Sequence, residues 1–138
     1  MYKNISILTD IQVAQLHDLY QYAWWAKERA LDDIYQMLKN TDYIFGICEW
    51  DSEKLIAFAR VLSDRTYRAI VFDVIVADDY RHQGLGALLI EQIVSHPDLS
   101  QVECIQLFCL TEMIPFYEKF GFVRAEQSLL VRQRLIPS

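Results

Sequence analysis

The stretch from Phe72 to Leu89 constrains the fold of this chain more than any other part of the sequence. It begins with an apolar run and enters a polar turn, where Gly84 and Gly86 supply two of the four glycines. Apolar residues at helical spacing follow the turn. The first N–H groups of a helix have no partner inside it and, with the helix dipole, attract an anion. The sequence therefore predicts a strand, an anion-binding turn and a helix in direct succession.

Three interpretations of this turn compete. A helix start without a ligand is the commonest meaning of a lone Gly-x-Gly pair. A dinucleotide-binding turn needs a third glycine, where this chain has Leu89, and an alternating strand-helix order before it, so we exclude it. A site for the pyrophosphate of coenzyme A is the third interpretation, and glycine suits it because a Cβ would hold a phosphate away from the backbone.

The periodicity of the whole chain predicts an α+β fold around one mixed sheet. The predicted strands are about Ile5–Thr9, Tyr43–Trp50, Leu55–Leu62, Ala69–Ala77 and Val102–Leu110, with one or two more in Phe122–Leu135. The first predicted helix is capped by Thr9 or Asp10 and has an apolar stripe of Val13, Leu16, Leu19 and Tyr20; the other three span about Leu31–Lys39, Gly84–Ser95 and Met113–Phe120. The unit from Ala69 to Leu110 requires a parallel strand pair with a right-handed crossover, whereas the remaining strands should be antiparallel.

Composition and charge predict one soluble domain over residues 1–138. Hydrophobic residues make up 53% of the chain, which is enough for one core. The net charge is -6 and no basic face is evident, which argues against a nucleic-acid partner. No apolar stretch approaches a membrane span of about 20 residues, and no secretory signal is recognisable at the start. We therefore expect a cytoplasmic protein that does not bind membranes.

The cysteines do not predict a metal site. Cys48, Cys104 and Cys109 are odd in number, match no zinc spacing and lie in apolar stretches. Buried free thiols in a reducing compartment are expected, and a metal cofactor is not.

Two motifs in the expected order resemble those of the GCN5-related N-acetyltransferase (GNAT) superfamily. Arg81-His82-Gln83-Gly84-Leu85-Gly86 matches its pattern of Arg or Gln, two residues, Gly, one residue, and Gly or Ala. Tyr117-Glu118-Lys119-Phe120-Gly121-Phe122 is similar to its Tyr-Glu-x-x-Gly-Phe segment. The resemblance covers about Tyr43 to Leu135. It implies the GNAT fold, a sheet of six or seven strands flanked by about four helices.

The resemblance implies acetyl-CoA as cosubstrate and assigns residues to it. Backbone amides from Gln83 to Ala87 should hold the pyrophosphate, with the Arg81 side chain at the edge of the turn. Main-chain groups of Val74 to Val76 should pair with the pantetheine arm as an added strand would, and the Val76 amide should contact the thioester carbonyl. The predicted cofactor-binding residues are therefore Val74, Ile75, Val76, Arg81, His82, Gln83, Gly84, Leu85, Gly86 and Ala87. The two parallel strands should separate to admit the cofactor.

The implied reaction transfers an acetyl group to a primary amine by direct attack on the thioester. Tyr117 aligns with the tyrosine that acts as general acid in the family. A phenol with a pKa of about 10 can donate a proton to a departing thiolate. The alternative is that Tyr117 is only a core aromatic residue. The asparagine of the family, seven residues before this tyrosine, is replaced by Leu110, and its alanine, four before, by Met113. These departures remove a side-chain contact to the cofactor arm.

The general base is less defined. Family members often carry it at positions equivalent to Ile70 or Phe72, which are apolar here, so Asp73 is the candidate within the strand. Strand alternation points Asp73 away from the Phe72 side, but a β-bulge, usual in this strand of the family, would re-aim it. The alternatives are that Asp73 pairs with a cation or caps a backbone group, and that water alone activates the amine.

The acceptor site is expected to involve Trp24, Trp25 and Phe72, with Glu49, Arg60 and Glu112 as weaker candidates. The acceptor should be a small molecule. Two other functions remain open: a non-catalytic acyl-CoA-binding or sensor module, and an acetyltransferase that acts on a protein amine. The resemblance also leaves a homodimer open.

Overall fold

A mixed five-stranded sheet organises the first part of the chain. In the computed structural model, which describes residues 1–134, the strands are β1 (Tyr2–Ile5), β2 (Tyr43–Glu49), β3 (Leu55–Ser63), β4 (Arg68–Val76) and β5 (Cys104–Leu107), adjacent in that order. The first three pairings are antiparallel, and β4 pairs with β5 in parallel. The chain divides into two compact units, Met1–Phe108 and Cys109–Ser138, and the sheet lies in the first.

Four α-helices accompany these strands in the described chain. They are α1 (Asp10–Gln21), α2 (Leu31–Lys39), α3 (Leu85–Ser95) and α4 (Ile114–Glu118). Single 3₁₀ turns at Asp78–Tyr80 and Thr111–Met113 precede α3 and α4. Within residues 1–134, none of the helices has both the length and the apolar character needed to cross a bilayer.

The core of the first unit lies against β3. Every residue from Leu55 to Ala59 is buried, which is typical of a strand covered on both faces. Both α1 and α3 contact this strand. The fully buried side chains of Leu16 and Tyr20 on α1 cluster with Phe58, and α3 contributes apolar residues that are equally buried. The core therefore lies directly beside β4, the neighbour of β3, which α3 also contacts.

A β-bulge interrupts the pairing of β3 with β4. Arg60 pairs with Phe72 and Phe58 pairs with Ile75, so β4 contains one more residue than β3 between these pairs. Asp73 lies in this insertion with φ of 58°, in the left-handed region. The bulge expected from the family resemblance is thus confirmed, and it interrupts the simple alternation of side chains along the strand.

The predicted α+β class is confirmed, but the strand count is lower than expected. Five strands are present in the described chain rather than six or seven, and residues 122–134 contain none. A strand needs a hydrogen-bonded neighbour, and an apolar pattern alone does not provide one. Leu135, the last residue of the predicted tail strands, lies outside the described residues.

Two strand positions also differ from the prediction. The first strand is Tyr2–Ile5, because these residues pair with Gly46–Glu49, while Thr9 caps α1 and ends the extended segment. β5 is shorter than the predicted Val102–Leu110, because its pairing with β4 covers only Cys104 to Leu107.

Candidate functional site

The turn before α3 has two left-handed residues in close succession. After the 3₁₀ turn, His82 has φ of 65° and Gly84 has φ of 80°, and α3 begins at Leu85. A Cβ built on Gly84 would meet no atom within 4 Å, so the space above this residue is open. Glycine is favoured here by its backbone conformation, and it leaves room for a ligand to approach the main chain.

The backbone donors of this turn have no acceptor inside the described chain. The N–H groups from His82 to Ala87 donate to no backbone or side-chain oxygen of residues 1–134, and the first hydrogen bond of the helix is from Leu88 to Gly84. No side chain caps α3, and its first turn contains no acidic residue. A row of free donors at the positive end of a helix is suited to a diphosphate, so this turn fits the pyrophosphate of coenzyme A.

Side chains hold the turn without filling it. Arg81 forms an exposed ion pair with Asp78, with 3.1 Å between Nη2 and Oδ1. The Tyr2 hydroxyl donates to Oε1 of Gln83, and the Tyr2 ring packs edge-on against Tyr80. The attraction for an anion therefore comes mainly from the backbone, because Asp78 offsets the charge of Arg81. Sequence reasoning missed the role of Tyr2, whose contact is 81 residues distant in the chain.

One edge of β4 is open beside this turn. The pairing with β5 ends at Val71–Leu107, so the two parallel strands separate as expected, and the residues from Phe72 to Val76 are only half-buried. Ala77 donates its N–H to Ile56 at 2.8 Å, on the β3 side. Because successive N–H groups of an extended strand point to opposite edges, the Val76 N–H points to the open edge. The edge fits the predicted strand-like pairing with a pantetheine arm.

Asp73 is the centre of a polar cluster formed by Tyr20, Arg29, Arg60 and Asp73, which we call the Asp73 cluster. Its Oδ2 accepts hydrogen bonds from Tyr20 Oη at 2.9 Å, Arg29 Nη1 at 2.7 Å and Arg60 Nε at 2.8 Å. The Asp73 side chain is 5% exposed, compared with 30% for Arg29 and 14% for Arg60. The bulge thus directs Asp73 to two arginines from distant parts of the chain.

The cluster keeps Asp73 ionised. Burial alone would raise the pKa of this carboxyl, but hydrogen bonds from Arg29 and Arg60, together with their charges, outweigh burial and lower the pKa below its ordinary value. A carboxylate with a lowered pKa and an occupied Oδ2 is a weak proton acceptor. This geometry favours the ion-pair alternative for Asp73 over the role of general base.

Two of the three residues predicted to bind the acceptor lie beside the Asp73 cluster, and the third does not. Trp25 packs edge-on against Tyr20, and the Arg29 guanidinium lies 5.4 Å from the centroid of the Trp25 ring. Phe72 lies under Arg60, with 4.8 Å from guanidinium to ring centroid. Trp25 and Phe72 therefore border the Asp73 cluster, whereas Trp24 is 72% exposed and has no aromatic or cation–π contact within residues 1–134.

Sequence reasoning missed two members of this cluster. The helical spacing predicts Tyr20 only as part of the apolar stripe of α1; the residue is fully buried, but its hydroxyl also reaches Asp73. Arg29 lies between α1 and α2 in a segment without a motif. The presence of a carboxylate in an apolar strand was the one signal that a cation should be sought.

Tyr117 belongs to the second unit. It is buried on α4, with the ring centroids of Phe116 and Phe122 at 5.0 and 6.1 Å in edge-on geometry. Burial, assisted by the nearby Cys109, raises the pKa of the phenol above its ordinary value. The hydroxyl forms no hydrogen bond with another described residue. Tyr117 is therefore protonated at neutral pH and has a proton to donate.

Comparisons with known proteins agree with this geometry. The model of the acetyltransferase (GNAT) family matches residues 10–122. A Pyropia yezoensis protein called uncharacterized N-acetyltransferase ycf52 is 30% identical over 117 residues, which are 83% of this chain and 67% of that protein. The histone acetyltransferase TAP1 of Glycine max is 30% identical over 122 residues, covering 82% of this chain and 48% of that protein.

A solved structure is similar over nearly the whole chain. The protein from Xanthomonas campestris pv. campestris, described as an acetyltransferase of the GNAT family, has a TM-score of 0.82 and 27% identity. The match covers 97% of this chain and 94% of that protein. The relatives found by sequence are longer, since this chain spans about two thirds of the Pyropia protein and about half of the Glycine protein.

Proposed function

The chain belongs to the acetyltransferase (GNAT) family, and from this premise we propose that it transfers an acetyl group from acetyl-CoA to a primary amine by direct attack on the thioester. The predicted GNAT fold is confirmed by the solved relative. One observation carries the proposal beyond the family: the free backbone donors from His82 to Ala87 lie directly after a strand whose edge is open.

Two stretches of backbone are suited to hold the cosubstrate. The amides from Gln83 to Ala87 bind the pyrophosphate, and the open edge from Val74 to Val76 binds the pantetheine arm. When bound, acetyl-CoA supplies the thioester whose acetyl group is transferred. The Val76 N–H then donates to the carbonyl oxygen of that thioester, where negative charge develops during attack.

Protons are handled by Tyr117 and by water in this proposal. The Tyr117 phenol, protonated because burial raises its pKa, donates a proton to the departing thiolate. Asp73 serves as the anchor of its cluster, because its hydrogen bonds and lowered pKa make it a weak base. Water accepts the proton of the amine.

The test is release of free thiol from acetyl-CoA with a panel of small amines and peptides. We expect turnover with small amines, and we expect Tyr117→Phe to lower kcat by about 100-fold, a typical contribution of general acid catalysis. Tyr22→Phe is the matched control, because Tyr22 is 80% exposed and should leave kcat unchanged. Binding of coenzyme A without turnover of any amine would instead indicate a non-catalytic module. Turnover of peptides alone would indicate a protein acetyltransferase.

The cytoplasm remains the proposed location. The relative named GCN5-related N-acetyltransferase 2 of Arabidopsis thaliana is described as chloroplastic, and it is 37% identical over 70 residues. Fractionation of cells that produce the chain with a fluorescent tag would separate the two compartments.

A further inference from the structure

The Asp73 cluster contains more positive charge than its own carboxylate neutralises. It has two arginines and one aspartate, and Tyr20 is neutral because burial and then the charge of Asp73 raise the pKa of its phenol. In the described part of the chain, neither Arg29 nor Arg60 forms an ion pair with a second carboxylate. One net positive charge is left in a half-buried position.

This charge has free hydrogen-bond donors. Arg60 donates to Asp73 through Nε, while its two terminal nitrogens donate to no residue within 1–134. These nitrogens reach solvent, because the one buried side-chain nitrogen or oxygen without a partner in that range is Nε2 of Gln92. The free edge of a guanidinium matches the two oxygens of a carboxylate or a phosphate.

The free donors lie over β4 at the point where its pairing with β5 has ended. Arg60 is directly opposite Phe72 in the pairing of β3 with β4, and its guanidinium stacks on the Phe72 ring. Phe72 is the first residue of β4 beyond the last pair with β5, Val71–Leu107. Val76, the proposed contact of the thioester carbonyl, lies four positions further along the same strand. An acceptor held at Arg60 therefore lies over the same strand, β4, as the proposed contact of the thioester.

We propose that the acceptor is an amine that also bears an anionic group, a carboxylate or a phosphate, and that Arg60 binds this group. The inference rests on the proposed acetyl transfer and names the substrate class for it. One arginine would neutralise Asp73, and a second half-buried cation costs free energy unless an anion pairs with it. A second ammonium on the acceptor would be repelled, because Asp73 is already occupied by both guanidinium groups.

The test compares acceptors that differ only in the group distant from the amine. γ-Aminobutyrate, butylamine and putrescine each have four carbons in a chain, and the carbon distant from the amine is a carboxylate, a methyl group and a methylene that bears an ammonium, respectively. We expect kcat/KM for γ-aminobutyrate to exceed that for butylamine by about tenfold, since hydrogen bonds between charged groups are stronger than neutral ones. Putrescine should be the poorest substrate. Phosphoethanolamine and ethanolamine form a second pair, and the pair with the larger ratio assigns carboxylate or phosphate.

Variants locate the preference on Arg60. Arg60→Gln should reduce the ratio of kcat/KM for γ-aminobutyrate to that for butylamine to about one. Arg68→Gln is the matched control, because Arg68 is an exposed arginine on β4 whose partner is Glu103, and the ratio should not change. If Arg60→Gln does not fold, the panel on the parent protein still decides.

Each outcome is informative. Ratios of one or below in both pairs overturn this inference while leaving acetyl transfer intact. No thiol release with any amine or peptide defeats the proposed function and this inference together.

Discussion

The first turn of α1 is capped by side chains, whereas the first turn of α3 is not. At α1, Oγ1 of Thr9 accepts from the Gln12 N–H at 3.1 Å, and Oε1 of Gln12 accepts from the Thr9 N–H at 3.0 Å. Gln12 also donates to the carbonyl of Glu53, which ties the helix start to the turn between β2 and β3. At α3, the residue before the helix is Gly84, which has no side chain to accept a hydrogen bond.

The difference distinguishes a helix start that stabilises the fold, at α1, from one that is available to bind a ligand, at α3. The chain closes α1 with a reciprocal capping box, a device that stabilises a helix by about 1 kcal/mol. An equally simple cap is missing at α3, although α3 is of similar length and is more deeply buried in the core. We infer that the open donors of α3 are kept for an anion, and that stability for this part of the fold comes from apolar packing instead.

A carboxylate placed at the uncapped start of α3 should have the largest effect on the binding of coenzyme A. Gly84→Glu places a carboxylate where the pyrophosphate is proposed to bind, and we expect the Kd for coenzyme A to rise about 100-fold. Calorimetric titration measures the change, and coenzyme A should no longer raise Tm at concentrations that stabilise the parent.

A neutral variant of the same size separates charge from shape. Gly84→Gln adds the same side-chain length and the same left-handed backbone strain, so we expect about a tenfold loss, with the remaining tenfold due to the carboxylate. Equal affinities of both variants and the parent would show that the turn is a helix start without a ligand.

Removing the cap of α1 should lower the stability of the protein and leave the binding of coenzyme A unchanged. Thr9→Ala removes the hydroxyl acceptor and should lower the free energy of unfolding by about 1 kcal/mol, measured by denaturant titration. Thr9→Ser, which keeps the hydroxyl, should stay near the parent value. A Kd for coenzyme A that changes as much as in Gly84→Glu would break the distinction between the two helix starts.

The contact between Tyr2 and Gln83 tests whether side chains help to fix the shape of the turn before α3. Tyr2→Phe removes the hydrogen bond to Gln83 but keeps the ring that packs on Tyr80. A hydrogen bond contributes about 1 kcal/mol net, so the Kd for coenzyme A should rise by up to about fivefold. Tyr67→Phe, at a residue that is 61% exposed, is the control. An unchanged Kd would mean that the backbone alone sets the shape of the turn.

The same contrast explains which features were predictable from sequence. The bounds of α2, Leu31–Lys39, are predicted correctly, and the start of α1 and both bounds of α3 to within a residue, because their spacing and end signals are local. The open turn was predicted for a related reason: the glycines and the following apolar face are neighbours in sequence. Local patterns sufficed wherever the interaction partners are a few residues apart.

Contacts between distant residues account for what was missed. The predicted position of β1 is a few residues too late, because its register is set by pairing with Gly46–Glu49. Residues 122–134 pair with no strand of the described chain, so the extra strands predicted there do not form. Arg29 reaches Asp73 across 44 positions, and no local pattern distinguishes it from other arginines. The bulge that aims Asp73 was expected from the family and not from composition, since alternation alone gives the opposite face.

Ionic strength should give the smallest effect and the most direct contrast between the two helix starts. The capping box of α1 consists of neutral groups at contact distance, so the loss of stability in Thr9→Ala should be the same at low and high salt. The attraction of α3 for a diphosphate comes from a helix dipole at an exposed turn, which salt screens. We expect the Kd for coenzyme A to rise about threefold between low and near-molar sodium chloride, a change that titration at constant pH would measure. If Kd does not change with salt while the Thr9→Ala penalty does, then the charge-based attraction belongs to α1, and the assignment of the two helix starts is reversed.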